Sequence, residues 1–339
     1  MSMSSSISSS EAVAPAAWGR CIAAFLAALG GGALLVLALM IMVDPYDSGR
    51  FGLLGIKGTG DSWVAMAQAS RARDGGFDAA IIGNSTAQLI RPETLSSATG
   101  RRFVQLFVPG ASPNGQLAVL DFFLRHHPKP QGLVVVIDDP WCAHDDGVAS
   151  NDSFPYWLYG DSVLDYTAHL FTWRAFDLAI RRIKIWRGVR AAEPADGYAD
   201  YEIDYPPGSQ APADVPQPPS PRFDGAIDMT FPFAQRLQQV VRRLPDTGVV
   251  LVVPPTFYRI LPTPSSRAAR EREACNAAFR QLVAGRASSN LIDFRVDNAL
   301  TRNPANFLDF IHYRAPIARR VNGGIIASFR DAAAARIEF

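Results

Sequence analysis

Ala79-Ala80-Ile81-Ile82-Gly83-Asn84-Ser85 is the stretch on which the reading of this chain turns. Apolar residues run without alternation into a glycine, and a serine follows two positions later. An unbroken apolar run closed by a turn signal reads as a strand buried on both faces, the kind that builds parallel sheets. A serine just past such a strand, on a turn into a helix, is a candidate nucleophile. A serine hydroxyl is a weak nucleophile by itself and needs a base to take its proton.

Similar runs recur along the chain. They cover Phe77 to Ile82, Phe103 to Val108, Leu133 to Ile137, Val249 to Val253 and Asn290 to Phe294. The first four are followed directly by Gly, Pro or Asp and the fifth ends near Asp297, as strands entering loops do. Between them the apolar spacing turns helical. A short helix is expected over Thr86 to Ile90, ended by Pro92. Further helices are expected over Asn114 to His126, Phe233 to Leu244, Ser266 to Ala284 and Ile317 to Phe329. Strand alternating with helix predicts an α/β fold, an open parallel sheet of about five strands with helices on both sides. In such folds a site forms outside the carboxyl ends of the strands. Ser85, Gly110, Asp138 and Pro254 all fall there.

A base for Ser85 is available far downstream. Asp309-Phe310-Ile311-His312 follows the fifth strand, and a His three residues after an Asp carries its own orienting carboxylate. Gly110 and Asn114, after the second strand, are candidate donors to an oxyanion, along with the backbone amide of Ser85. Each of these residues also has an ordinary use. Ser85, Asp309 or Asn114 can cap a helix, Gly110 can serve a turn, and His312 can be a surface side chain. His144-Asp145-Asp146 lacks metal-ligand spacing and reads as a solvated loop or a substrate contact. No metal and no cofactor is expected.

Trp141 to about Ile227 breaks the rhythm and is too long for a plain crossover. Asp161 to Arg187 has helical spacing. Ala191 to Pro221 is Pro-rich and acidic, an irregular excursion. The aromatic residues Phe154, Tyr156, Trp157, Tyr159, Tyr166, Trp173 and Trp186 are mostly expected in the core of this insertion, with stacking on sugar rings as the other reading. The basic stretch Arg181 to Arg187 is either a solvated face or a contact for anionic lipid headgroups.

Cys21 to Val43 carries no charged side chain and exceeds the roughly 20 apolar residues that cross a bilayer. It is also longer than a signal-peptide core and is followed by Asp44-Pro45-Tyr46-Asp47, not by a small-residue cleavage site. The expected layout is a disordered cytoplasmic tail over 1–19, an anchor over 20–43, a juxtamembrane segment over 44–75, and one domain over 76–339. Arg20 before the span, with Asp44 and Asp47 after it, favours a domain on the extracytoplasmic, periplasmic side. A net charge of +1 over 339 residues leaves no electrostatic footprint for nucleic acid. Three cysteines are too few for a disulfide framework. Cys142 and Cys275 either pair in an oxidising compartment or stay as two buried thiols.

Gly83-Asn84-Ser85, Gly110 and Asp309-x-x-His312, in this order and strand context, resemble the SGNH (GDSL-like) hydrolase superfamily. The resemblance runs from Phe77 to Phe329, with the insertion unmatched and Asn84 where the family has Asp. It implies a flavodoxin-like three-layer sandwich, with Ser85 as nucleophile, His312 as base, Asp309 as its orienting acid, and an oxyanion site using Gly110 and Asn114. The third family block usually offers an Asn, but here reads Asp138-Asp139-Pro140-Trp141. Membrane-anchored members are similar to the alginate O-acetylation and teichoic-acid D-alanyl transfer proteins, which act beside a multi-span membrane acyltransferase. The resemblance therefore implies an esterase or O-acyltransferase. Its partners would be an acyl donor, a glycan or small ester, the membrane through residues 21–43, and a multi-span acyltransferase. The reading from a different class is a non-catalytic envelope scaffold of the same fold.

Overall fold

A computed structural model describes residues 15–51, 53–60, 64–145, 153–191, 194–212 and 220–330. The predicted strands are present as β1 Ala79–Gly83, β2 Phe103–Phe107, β3 Gly132–Val136, β4 Gly248–Val253 and β5 Asn290–Asp293. They form one sheet in the order β2-β1-β3-β4-β5, and every pairing is parallel. Ile82 stands opposite Leu106 on one side and Val135 on the other. The first four strands are buried along their whole length, as their unbroken apolar runs require.

Alternate side chains feed two cores. Ala80, Ile82, Leu106, Val135 and Leu251 face one layer. It contains α2 (Val64–Ala72), α4 (Pro113–His126), α8 (Pro232–Arg242) and α9 (Arg267–Val283). Ala79, Ile81, Phe103, Val134 and Val252 face the other, built from α3 (Pro92–Thr99) and α11 (Ala315–Arg330). The result is an α/β three-layer sandwich.

Three sequence expectations need correction. The helix expected over Thr86 to Ile90 is a single 3-10 turn, Ser85–Ala87. Pro92 opens α3 instead of closing a helix, because its fixed φ suits the first helical position and it has no N–H to leave unpaired. The helix expected over Asp161 to Arg187 is broken into α6 (Val163–Ala168), a 3-10 turn His169–Phe171 and α7 (Trp173–Trp186). Thr172 makes the break. It is extended, and its Oγ1 caps α7 by accepting from Ala175 N–H at 3.2 Å. Two further short helices, α5 (Tyr156–Tyr159) and α10 (Ala299–Arg302), complete the set among the described residues.

The insertion serves both layers. Tyr159, Tyr166, Ala175 and Leu178 pack into the first core, and Tyr201 and Ala211 into the second. Its irregular part also covers the open edge of β2, where Gln105 N–H donates to Asp196 carbonyl at 2.7 Å. Gly197 lies so close there that a Cβ would stand 2.4 Å from Gln105 carbonyl oxygen, at a φ of +78°. A disulfide joins Cys142, just after β3, to Cys275 in α9. Of the two alternatives for these cysteines, the structure has the pair.

Helix α1 runs from Pro15 to Val43, so it begins inside the segment expected as a tail; residues 1–14 lie outside those described. Its Trp18–Val43 part contains an 18-residue stretch of mean hydropathy 2.5 and is long and apolar enough to cross a membrane. The juxtamembrane segment is part of the domain, with Ala65, Met66, Ala69 and Ala72 of α2 in the first core. The end of α1 is fastened by charge. Arg182 of α7, only 1% exposed, donates from Nε to Val43 carbonyl at 3.1 Å and from Nη1 and Nη2 to Gly58 and Ile56 carbonyls at 2.7 Å each. Its guanidinium lies 3.2 Å from Asp47, which also pairs with Arg73. Tyr166 donates to the Asp44 carboxylate.

Arg182→Leu leaves Asp47 short of a partner and removes the Arg182 donor from two buried carbonyls, Val43 and Ile56, and from the part-buried carbonyl of Gly58. It is expected to destabilise the full-length protein by about 3–5 kcal/mol in denaturant unfolding followed in detergent micelles.

Candidate functional site

Gly83 ends β1 at a point where a side chain has no room. An added Cβ would lie 2.6 Å from Ala87 Cβ and 3.0 Å from Val136 Cβ. Asn84 then turns the chain. Its Oδ1 accepts from Thr86 N–H at 2.9 Å and from the Thr86 hydroxyl at 2.8 Å, and its Nδ2 donates to Asp138 at the end of β3. Asn84, not Ser85, is therefore the cap of the 3-10 turn. Ser85 takes the first position of that turn, where a backbone N–H has no partner within the helix.

The loop carrying the histidine is equally constrained. Phe307 and Tyr313 form an antiparallel bridge, and Leu308 N–H donates to His312 carbonyl at 2.8 Å. Inside this loop Asp309 Oδ1 accepts from the N–H groups of Ile311 and His312, both at 2.8 Å. Asp309 Oδ2 lies 2.6 Å from His312 Nδ1, and His312 Nε2 lies 2.9 Å from Ser85 Oγ. Tyr313 donates to Thr86 carbonyl at 2.7 Å, so the residues just after the serine and just after the histidine are also joined. Ser85, His312 and Asp309 thus form one hydrogen-bonded chain, half-buried at the carboxyl edge of the sheet.

Partial burial opposes ionisation of Asp309. The ring of His312 and the two backbone N–H donors outweigh it and hold the carboxyl down at about 2. Its contribution to stability is present above the ordinary carboxylate range and is lost as pH falls towards 2.

Gly110 and Asn114 stand outside this chain. Gly110 is exposed on the turn after β2, with φ +68°, and Val108 N–H donates to Gly83 carbonyl at 3.0 Å, which keeps that turn beside the Ser85 turn. Asn114 is in the first turn of α4, whose cap is Ser112, and its Oδ1 accepts from Arg236 of α8. His144 and Asp145 are exposed, and Asp146 lies outside the described residues. Among the described residues no group of three or more His, Cys, Asp or Glu side chains is placed to hold a metal ion.

Two residues of the site have no signal in the sequence. Tyr205 hydroxyl lies 3.3 Å from Asp309 Oδ2 and 3.2 Å from His312 Nδ1. Burial, and then the Asp309 charge, push its phenol up, so it stays a hydrogen-bond donor. Tyr201 sets its ring edge-on to His312, with centroids 5.3 Å apart, and donates to Tyr313 carbonyl. Both come from the Pro-rich excursion, where no periodicity marks a residue as inward-facing.

Asp138 sits beside this chain. Its Oδ1 is buried with no hydrogen-bond partner among the described residues. Burial, with the Asp139 charge as a lesser cause, pushes its carboxyl up to about 7 against the opposing effect of its own backbone N–H, Arg295 and Asn84. Between the ordinary carboxylate range and about 7 the folded protein keeps a proton that the unfolded chain has released, so stability falls as pH rises through that window. Asp138→Asn keeps an acceptor for Asn84 and removes the titration. The wild type is expected to lose up to about 4 kcal/mol more than this variant between pH 4 and 8 in urea unfolding.

No protein-family model matches the chain, and a search of curated proteins finds no significant match.

Proposed function

We propose that this protein is a membrane-anchored serine ester hydrolase or O-acyltransferase of SGNH type, working through an acyl-Ser85 intermediate. The observation that carries the reading is the chain Ser85 Oγ to His312 Nε2 at 2.9 Å and His312 Nδ1 to Asp309 Oδ2 at 2.6 Å. Ser85 and His312 are 227 positions apart, and a capping or surface role for either one does not require this contact.

Ser85 Oγ would attack the ester carbonyl carbon as its proton passes to His312 Nε2. Asp309 accepts the hydrogen bond from Nδ1–H, which fixes the tautomer and stabilises the imidazolium. The tetrahedral oxyanion would take hydrogen bonds from the Ser85 and Gly110 amides, with Asn114 as a further donor. Collapse releases the alcohol, which takes the proton from His312. A second hydroxyl, from water or a sugar, then attacks the acyl carbon as its proton passes to His312, and His312 returns that proton to Ser85 Oγ as the acyl–oxygen bond breaks. Asp138, in place of the third-block Asn, is the feature that favours a scaffold. Its raised pKa answers this in part, because an uncharged acid does not repel an oxyanion.

The paired Cys142 and Cys275 support a domain outside the cytoplasm, since disulfides persist in oxidising compartments. The reading leans towards O-acylation of an extracytoplasmic glycan, with a multi-span acyltransferase as donor partner.

The test is covalent labelling of the full-length protein in nanodiscs with a fluorophosphonate, followed by peptide mass spectrometry. Labelling of Ser85 that is lost in Ser85→Ala and His312→Ala is the expected result. A folded protein that takes no label overturns the reading. Asp309→Asn is expected to slow hydrolysis of an activated acetyl ester by on the order of 10⁴-fold, because the imidazole loses its orienting acceptor.

A further inference from the structure

Many of the large apolar side chains that face outward on this domain belong to two neighbouring parts of the chain. Leu53 and Leu164 are each 82% exposed and Trp173 is 87% exposed, with Phe171, Trp186 and Val189 also outward. These residues lie in the loop that leaves α1 and in the α6–α7 part of the insertion. That part is tied directly to the end of α1. Tyr166, two residues after Leu164, donates to Asp44. Thr172, between Phe171 and Trp173, has its Oγ1 3.4 Å from Tyr46 hydroxyl. Arg182 donates to Val43 carbonyl at 3.1 Å.

The length of α1 sets the depth of this contact. Its uncharged part, Cys21 to Val43, rises about 34 Å, some 4 Å more than a bilayer's hydrocarbon core of about 30 Å. The domain packs onto the last turns of that part, where Met40 and Val43 are buried and Val36, Leu37 and Ile41 partly so. Elements seated against Val36 to Val43 stand where the span is still apolar, at the level of the headgroups and just below them. Tryptophan favours that level, with its ring in the apolar boundary and its N–H in the polar one. The charges agree. The segment 163–190 has six Arg or Lys against two Asp. Arg181 pairs with Asp177 and Arg182 with Asp47, and the side chains of Arg174, Lys184, Arg187 and Arg190 are exposed. A basic rim around exposed aromatic and aliphatic groups is the composition of a surface that lies in a membrane interface and meets anionic headgroups.

We propose that the α6–α7 face is a second membrane attachment, embedded in the interfacial layer of the same bilayer that α1 spans, with its basic rim on anionic lipid headgroups. Two attachments hold the domain at one tilt and one height, where a single flexible tether would let it swing. The proposal rests on α1 being inserted and is independent of any activity at Ser85.

The test uses the full chain with Cys21→Ser, so that the only other cysteines are the disulfide pair. A single cysteine is introduced as Leu164→Cys, Trp173→Cys or, inside α1, Leu29→Cys, and labelled with a fluorophore. The protein is then placed in nanodiscs containing phosphatidylglycerol. Nitroxide-bearing lipid is expected to remove about half or more of the emission at all three positions, with little effect of aqueous iodide. Quenching at Leu29→Cys, with the other two reached only by iodide, overturns the proposal and leaves the domain standing off in water. Quenching of those two by neither agent also overturns it, in favour of a protein covering the face. No lipid quenching at Leu29→Cys removes the anchor on which the proposal stands. Exchanging phosphatidylglycerol for phosphatidylcholine is expected to weaken quenching at Trp173→Cys, and equal quenching in both lipids overturns the headgroup contact.

Discussion

A parallel sheet buried on both faces leaves polar side chains few places to stand. Along β1, β3 and β4 every position is needed for packing, so functional groups are pushed to the strand ends, where the chain turns into a crossover. Asn84, Gly110 and Asp138 stand past the ends of β1, β2 and β3. The pairing of Ile82 with Leu106 and Val135 aligns those ends. Gly83 allows Ala87 and Val136 to close in, and Asn84 then bonds across to Asp138. The position of Ser85 is a consequence of sheet register before it is a matter of chemistry.

The histidine reaches this edge from the other end of the chain, and its loop has little freedom. It is closed by a β-bridge, braced internally by the Asp309 carboxylate and pinned to the serine turn through Tyr313. The insertion adds Tyr201 and Tyr205 against the imidazole. The same insertion secures the end of α1 through Tyr166 and Arg182. One long excursion therefore contacts both the apolar helix and the candidate site, and its irregular half also shields the edge of β2.

Three carboxylates illustrate how environment sets chemistry. Asp47 is buried and paired with Arg73 and Arg182. Asp309 is partly buried but surrounded by donors, so it stays ionised to low pH. Asp138 is buried with one oxygen unpartnered, and its proton is retained towards neutrality. The differences lie in the donors that the fold brings to each group.

Much of this was legible in the sequence. The apolar runs marked the five strands, and their unbroken character marked a parallel sheet, because double-sided burial writes itself into every position of a strand. The apolar span was equally plain, since a membrane-length helix needs only local composition. Ser85, Asp309 and His312 stood out as candidates from their place after strands. Their meeting was decided only by the tertiary structure, as were the Cys142–Cys275 pair, the Arg182 lock, the break at Thr172 and the approach of Tyr201 and Tyr205. Periodicity and turn chemistry act over a few residues and leave a local trace. A contact across 227 positions depends on strand order and crossover path, and no short stretch of sequence records those.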